Sequence, residues 1–282
     1  MNQFFSWDRW RLLTGKHWSE NRKKYLLSLT AMAGLLTIWF VFVLFANGYL
    51  FINDGIQAGA YFFGLVLVGS LYASQLFAEL ASKSKGTNYL SLPASHAEKL
   101  ACNIFFGLVC FSICYTTIFY LVDFTMVKIT NEIAYERWLQ KHETGDVFKE
   151  QMLINIFIMP NRPVDEPNLF NYFLLGFVAI QAAFMLGSIY FPKYSFIKTV
   201  ISLLLLFFLI MAFMKGLHDI LPAGNFYKNL ISYNFYSPQP DANGRIVELP
   251  NWAGIILSAL AWYAPAPLLW LITYFRLKEK EI

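Results

Sequence analysis

Six apolar runs, each about twenty residues long, constrain this sequence more than any other feature. They lie at about 25–46, 58–81, 100–122, 169–191, 196–217 and 252–275. Because an α-helix rises about 1.5 Å per residue, about 20 residues cross the roughly 30 Å hydrocarbon layer of a bilayer. The runs therefore predict an all-α, polytopic membrane protein whose six transmembrane helices form a single domain over residues 1–282.

The composition supports the same class of protein. Hydrophobic residues make up 57% of the chain and charged residues only 14%, whereas soluble domains carry about 25% charged residues. The three cysteines, Cys102, Cys110 and Cys114, all lie in the third apolar run and match neither a disulfide framework nor a zinc motif. They are interpreted as reduced residues that pack as small hydrophobes.

The first 24 residues predict an interfacial helix and a basic flank. The stretch FFSWDRWRLL mixes aromatic and basic side chains, which suits a helix with its aromatic face in lipid and its cations toward the headgroups. The side chains concerned are Phe4, Trp7, Arg9, Trp10 and Arg11. A fresh helix start is expected at Ser19, followed by Glu20. A basic flank with tryptophans at the headgroup level is the alternative.

The distribution of basic residues predicts the orientation. Fourteen of the 22 lysines and arginines fall on one side of the six runs, in segments 1–24, 83–99, 193–198 and 276–280. Loops rich in lysine and arginine stay in the cytoplasm. Both termini and residues 86–99 are therefore expected there.

The segment 86–99, GTNYLSLPASHAEK, predicts a turn with defined ends. Gly86 stands where a helix ends in a C′ glycine, and Pro93 stops any continuation. Ser95 and Glu98 have the spacing of a capping box, in which each side chain bonds the other's backbone amide. One helix is thus expected to end near Lys85 and the next to begin near residue 96.

The outer loops are predicted to be helical. In 125–168, Asn131 is expected to cap a helix through Lys141, and Asp146 to cap another that runs toward Met159. In 218–251, the stretch LPAGNFYKNLISYNFY is too apolar for a free loop and too short to span. It is expected to be re-entrant, to lie in the interface, or to pack against the other outer loop.

The sequence carries no P-loop, no H-E-x-x-H and no G-x-S-x-G motif. His218 and Asp219, at the outer end of the fifth span, are a pair of catalytic residue types, interpreted as a polar helix end rather than an enzyme site. No catalytic, cofactor or metal residue and no nucleic-acid partner is expected. The span centres hold aromatic and small polar residues without charges, which argues against a proton-coupled transporter or an ion pump. Such residues either pack helices or line a path for an amphipathic substrate.

Two patterns concern helix packing. Ala179, Ala183 and Gly187 form a small-xxx-small stripe, which lets two helices approach closely either within the chain or between copies. Pro265 and Pro267 lie inside the sixth run and predict a kink.

Three stretches carry a resemblance to a known family. They are NYLSLPASHAEK at 88–99, LGSIYFPKYSFIKT at 186–199 and FRLKEKEI at 275–282. Together with the six predicted spans and the missing nucleotide motif, they resemble the membrane subunit of a type-2 ABC transporter, in a permease-like branch common in Bacteroidetes. The resemblance implies an inner-membrane permease that works as a homodimer with a separate ABC ATPase subunit, which binds the ATP. A lipid, peptide or amphipathic compound would be exported.

The resemblance also implies roles for particular segments. The turn between the second and third spans would dock on the ATPase, through Asn88, Tyr89, Leu92, Pro93, Ser95, Glu98 and Lys99. The N-terminal interfacial helix would be the second contact, and short re-entrant helices are expected within 220–235. The outer loop 125–168 is longer than the family pattern. A non-transporting scaffold or sensor that binds an extracytoplasmic protein is therefore the alternative.

Overall fold

The computed structural model describes residues 4–46, 52–141, 148, 150–157, 169–220, 224–227, 232–235, 245–248 and 251–280. These residues are predominantly helical. The helices are α1 (Trp7–Ala46), α2 (Asp54–Ala73), α3 (Lys83–Leu90), α4 (His96–Ile104), α5 (Phe111–Lys141), α6 (Leu169–Tyr190), α7 (Ser195–Ile220), α8 (Asn251–Tyr263) and α9 (Pro265–Glu279). A 3₁₀ turn at Ala78–Ala81 precedes α3, and a π-helical segment at Phe105–Cys110 joins α4 to α5 in one rod.

Five helices of the described chain are long and apolar enough to cross a membrane: α1, α2, the α4–α5 rod, α6 and α7. A sixth crossing is formed if α8 and α9 count as one span, bent by 49°. Pro265 is the first residue of α9, and the bend confirms the kink predicted from Pro265 and Pro267. The chain thus has the helices of a multi-pass membrane protein.

Helix α1 differs from its prediction. No separate interfacial helix forms in the described part of 1–24, because one continuous helix of 40 residues covers Trp7–Ala46. Such a helix is about 60 Å long, twice the hydrocarbon thickness. Ser19 does not cap a new helix, since its hydroxyl donates to the carbonyl of Lys16 at 2.8 Å. A serine that bonds back in this way stays inside a helix.

The helix end expected near Lys85 lies elsewhere. Helix α2 ends at Ala73, where the Ser74 hydroxyl donates to the Leu71 carbonyl at 2.7 Å and Ser74 itself is the C-terminal cap. The chain then forms the 3₁₀ turn and α3, which begins after the capping residue Ser82. Gly86 therefore lies inside α3 rather than at a C′ position.

The second outer loop also differs. Asn131 does not cap a helix, because α5 runs through it without a break. Its side chain pairs with the backbone of Gln151, donating to the carbonyl at 2.9 Å and accepting from the amide at 3.1 Å. Residues 150–157 are not helical, so the helix predicted to run toward Met159 does not form there. Asp146, its predicted cap, lies outside the described residues.

Where the structure describes residues 221–235, it shows strands of a small antiparallel sheet and not the expected re-entrant helices. The strands β1 (Gly224–Tyr227), β2 (Ser232–Phe235) and β3 (Arg245–Glu248) pair in the order β1-β2-β3. Aromatic and β-branched residues are frequent in these strands, and such residues favour extended backbone. The expectation of helical outer loops is therefore wrong for this segment.

Helix α6 lies at the centre of the bundle and packs against α2, α7 and α9. Its Gly187 faces α7 so closely that a Cβ atom there would overlap the side chain of Thr199. The last residue of the predicted small-residue stripe thus packs within the chain. A hydrophobic core joins α1, α2 and α5, and Phe40, Tyr115 and Phe119 are fully buried in it.

Asp123 on α5 is fully buried, and neither carboxylate oxygen has a hydrogen-bond partner among the described residues. An unpaired buried polar group costs about 1–3 kcal/mol, and more when it is charged. We expect Asp123→Asn to raise the free energy of unfolding in detergent micelles by about 1 kcal/mol, since the amide is neutral. Asp54→Asn, at the exposed first turn of α2, is the control and should lower it slightly. A loss of stability in Asp123→Asn would contradict this account.

Candidate partner-docking site

The predicted capping box is confirmed at the start of α4. The hydroxyl of Ser95 accepts from the Glu98 amide at 3.2 Å, and Glu98 Oε2 accepts from the Ser95 amide at 2.8 Å. The two bonds satisfy two backbone donors that a helix start would otherwise leave unpaired. They fix the angle at which the turn enters α4.

Glu98 also holds the N-terminal segment. Its Oε1 accepts from the Ser6 amide at 2.7 Å and from Arg9 Nη2 and Nε at 2.9 and 3.2 Å. The Ser95 hydroxyl donates to the Phe4 carbonyl at 2.8 Å. Bonds to an ionised carboxylate are stronger than neutral ones. One fully buried side chain therefore ties together two segments about ninety residues apart.

The surroundings of Glu98 favour its ionised form. It lies just before the third apolar run. Burial alone would raise the pKa of the carboxyl group, but the Ser95 and Ser6 amides and the Arg9 guanidinium outweigh it and lower the pKa below the usual 4.5. The anchor is therefore fully present above pH 4.5 and is lost as the pH falls through the folded-state pKa of Glu98.

Lys99 stabilises the turn between α3 and α4 through contacts in the protein interior. Its Nζ donates to the Leu90 carbonyl at 2.8 Å, at the end of α3, and lies 5.8 Å from the centroid of the Tyr89 ring. The Tyr89 hydroxyl accepts from Asn103 Nδ2 at 3.0 Å. Lys99 is 1% exposed, so its charge serves these internal contacts.

The predicted docking residues thus divide into two groups. Glu98 and Lys99 are buried and make internal contacts, and their predicted contact with an ATPase stays a prediction. Asn88 and Pro93 are exposed, while Tyr89, Leu92 and Ser95 are half-buried. We define the docking face as the exposed side of α3 and of the turn that follows it.

The N-terminal residues pack against α4 and the π-helical segment that follows it. Trp10 packs edge-on against Phe105 at a centroid distance of 5.6 Å and stacks with Trp7 at 4.8 Å. Trp7 and Arg11 are exposed, whereas Arg9 is half-buried beside Glu98. The predicted aromatic and basic residues are therefore divided between an inner anchor and an outer surface.

A polar cleft of about 520 Å³ lies between α1 and the docking face. Asn88 and Tyr89 form one wall, and the opposite wall carries charged groups of α1. The lining residues that were not among the predicted site residues are Leu13, Lys16, His17, Glu20, Glu79, Lys85 and Ser91. Lys16 Nζ and Glu20 Oε1 are 3.8 Å apart. Their i, i+4 spacing is the one feature of the sequence that indicates this pair.

The C-terminal helix lies at the same end of the bundle. The ring of Tyr274 on α9 lies 6.0 Å from Phe4 and 6.3 Å from His96, centroid to centroid. Lys280 Nζ donates to the Ile189 carbonyl at the end of α6, at 2.8 Å. The N-terminal segment, the turn and α9 therefore form one continuous surface.

No group of three or more His, Cys, Asp or Glu side chains in the described chain is placed to hold a metal ion. His218 and Asp219 lie in the last turn of α7, and their side chains are outside the described set. Comparison of the chain with protein-family models, curated proteins and solved structures finds no match.

Proposed function

We propose that this chain is the permease subunit of an ABC-type exporter in the inner membrane, with both termini cytoplasmic. It works as a homodimer with separate ATPase subunits, which bind the ATP, and moves a lipid, peptide or amphipathic compound. The observation that carries the proposal is the Glu98 anchor. It joins the turn and the N-terminal segment, the two parts that the family resemblance assigns to ATPase contact, into one body.

The anchor gives a physical route for coupling. A partner that pushes on the docking face would move the N-terminal segment and α4 together, because Glu98 bonds both. The rod from His96 to Gln140 is 45 residues long and continuous. A displacement at its start would therefore reach the far side of the membrane as a rigid-body motion.

The exposed residues of the docking face provide the test. In Asn88→Glu, a new charge is placed on an exposed position. We expect the full-length tagged chain with this change, extracted in mild detergent, to co-purify with at least tenfold less ATPase. A tenfold change corresponds to about 1.4 kcal/mol of binding free energy. Lys193→Glu places a glutamate on another exposed position, in the link between α6 and α7, and should keep the ATPase. Equal retention by both variants would exclude this face as the docking site.

A scaffold or sensor that does not transport is the second candidate. A groove of about 510 Å³ between α5 and residues 148 and 150–153 favours it, because both polar and aromatic side chains line the groove. They include Lys128, Glu132, Tyr135 and Phe148. In this case the chain would bind a protein through the groove without any ATPase. Binding lost in Tyr135→Ala in preparations free of ATPase would support it.

A further inference from the structure

A cavity of about 220 Å³ opens between α1, α2 and the π-helical segment. Most of its wall is apolar, formed by Leu29, Met32, Val68, Leu71, Phe106 and Phe111. Phe106 and Cys110 belong to the π-helical segment, and such widened turns are frequent at functional sites. The cavity thus combines an apolar lining with a local departure from α-helical geometry.

The rim of the cavity is polar and basic. Lys24 is exposed and stands at the start of the first apolar run, where a lysine lies at the level of the lipid headgroups. None of the carboxylates in the described chain forms an ion pair with Lys24. Trp18, a residue type enriched at membrane interfaces, lies beside it and is half-exposed.

We propose that this cavity binds one acyl chain of an anionic phospholipid, with the lipid phosphate against Lys24. Pockets for complete drug-sized ligands measure about 300–1,000 Å³, so this smaller cavity suits a chain segment whose headgroup stays outside. The headgroup then lies where Lys24 supplies the complementary charge. The lipid would be a resident ligand rather than cargo. Its binding does not depend on the proposed function, because no ATPase is needed.

Lipid titration of the purified full-length chain tests the charge recognition. The probes are dioleoyl phosphatidylglycerol and dioleoyl phosphatidylcholine, and bound lipid is counted by native mass spectrometry. We expect the anionic lipid to bind about fivefold more tightly, the effect of one lysine near a lipid phosphate. Lys24→Gln should abolish this preference. Lys23→Gln, an equal change of charge at an exposed residue outside the cavity, should keep it.

A second pair of variants tests the cavity itself. Cys114 lines the cavity, so Cys114→Phe should exclude the acyl chain and lower the binding of both lipids. Ile113→Phe adds a ring to the neighbouring residue, which is exposed, and should leave binding unchanged. Equal binding of the two lipids by the wild-type chain would overturn the proposal. Equal losses of the lipid preference in Lys24→Gln and Lys23→Gln would also overturn it, because they would indicate a general attraction of anionic lipid to a basic surface.

Discussion

Gly64→Ala is expected to lower the free energy of unfolding by about 2–4 kcal/mol, because it combines overpacking with a lost hydrogen bond. A Cβ atom at position 64 of α2 would overlap the Tyr115 hydroxyl of α5. That hydroxyl donates to the Tyr61 carbonyl at 3.0 Å, and the tyrosine is fully buried. The ring lies between Phe111 and Phe119, at centroid distances of 6.0 and 6.5 Å, so it has no free direction in which to move.

Gly59→Ala in the same helix is the matched control. A Cβ atom at Gly59 would meet no other atom within 4 Å. An alanine in a helix is favoured over glycine by about 0.5–1 kcal/mol, so this variant should be slightly more stable. Chemical unfolding in detergent micelles measures both variants. Equal stability of the two would contradict the close packing of α2 against α5.

Glu98→Ala is expected to have the second large effect, a loss of about 3 kcal/mol. The change leaves Arg9 and the amides of Ser6 and Ser95 without their acceptor. A lost helix cap costs about 1 kcal/mol, and a hydrogen bond to a charged group contributes about 1.5–3 kcal/mol. The N-terminal segment should also come free, so trypsin should cleave after Arg9 faster than in the wild-type chain.

Glu20→Ala is the control for Glu98→Ala. Glu20 is exposed and makes a 3.8 Å ion pair with Lys16 on the same helix. Exposed pairs of this kind contribute about 0.3–0.5 kcal/mol, so little change in stability or cleavage is expected. If Glu98→Ala behaved like Glu20→Ala, Glu98 would not be the anchor of the N-terminal segment.

The sequence predicted the elements that depend on local patterns. Apolar run length located the membrane-length helices, and the spacing of Ser95 and Glu98 located the start of α4. The bend at Pro265 followed from the missing backbone donor. Each of these features is decided by residues a few positions apart, which a single sequence displays.

The errors arose where local signals had two readings. A serine such as Ser19 can cap a helix or bond back to it, and the second occurs here. Asn131 is likewise a residue type that often caps helices, but its side chain pairs with the backbone of Gln151 in a different segment. The candidate docking site also depends on contacts between segments that lie far apart in the sequence. Nothing in the capping box showed that Glu98 would be buried beside Arg9, because that contact joins segments that lie far apart in the sequence.

ATP hydrolysis by the purified complex tests the central claim most directly. The tagged full-length chain is purified in mild detergent and the ATPase activity of the eluate is measured, together with the identity of the bound proteins. The proposed permease role predicts a P-loop ATPase in stoichiometric amount, with hydrolysis abolished when the P-loop lysine of that partner is replaced. A chain that purifies intact from its native membrane without an ATP-hydrolysing subunit would contradict the permease role.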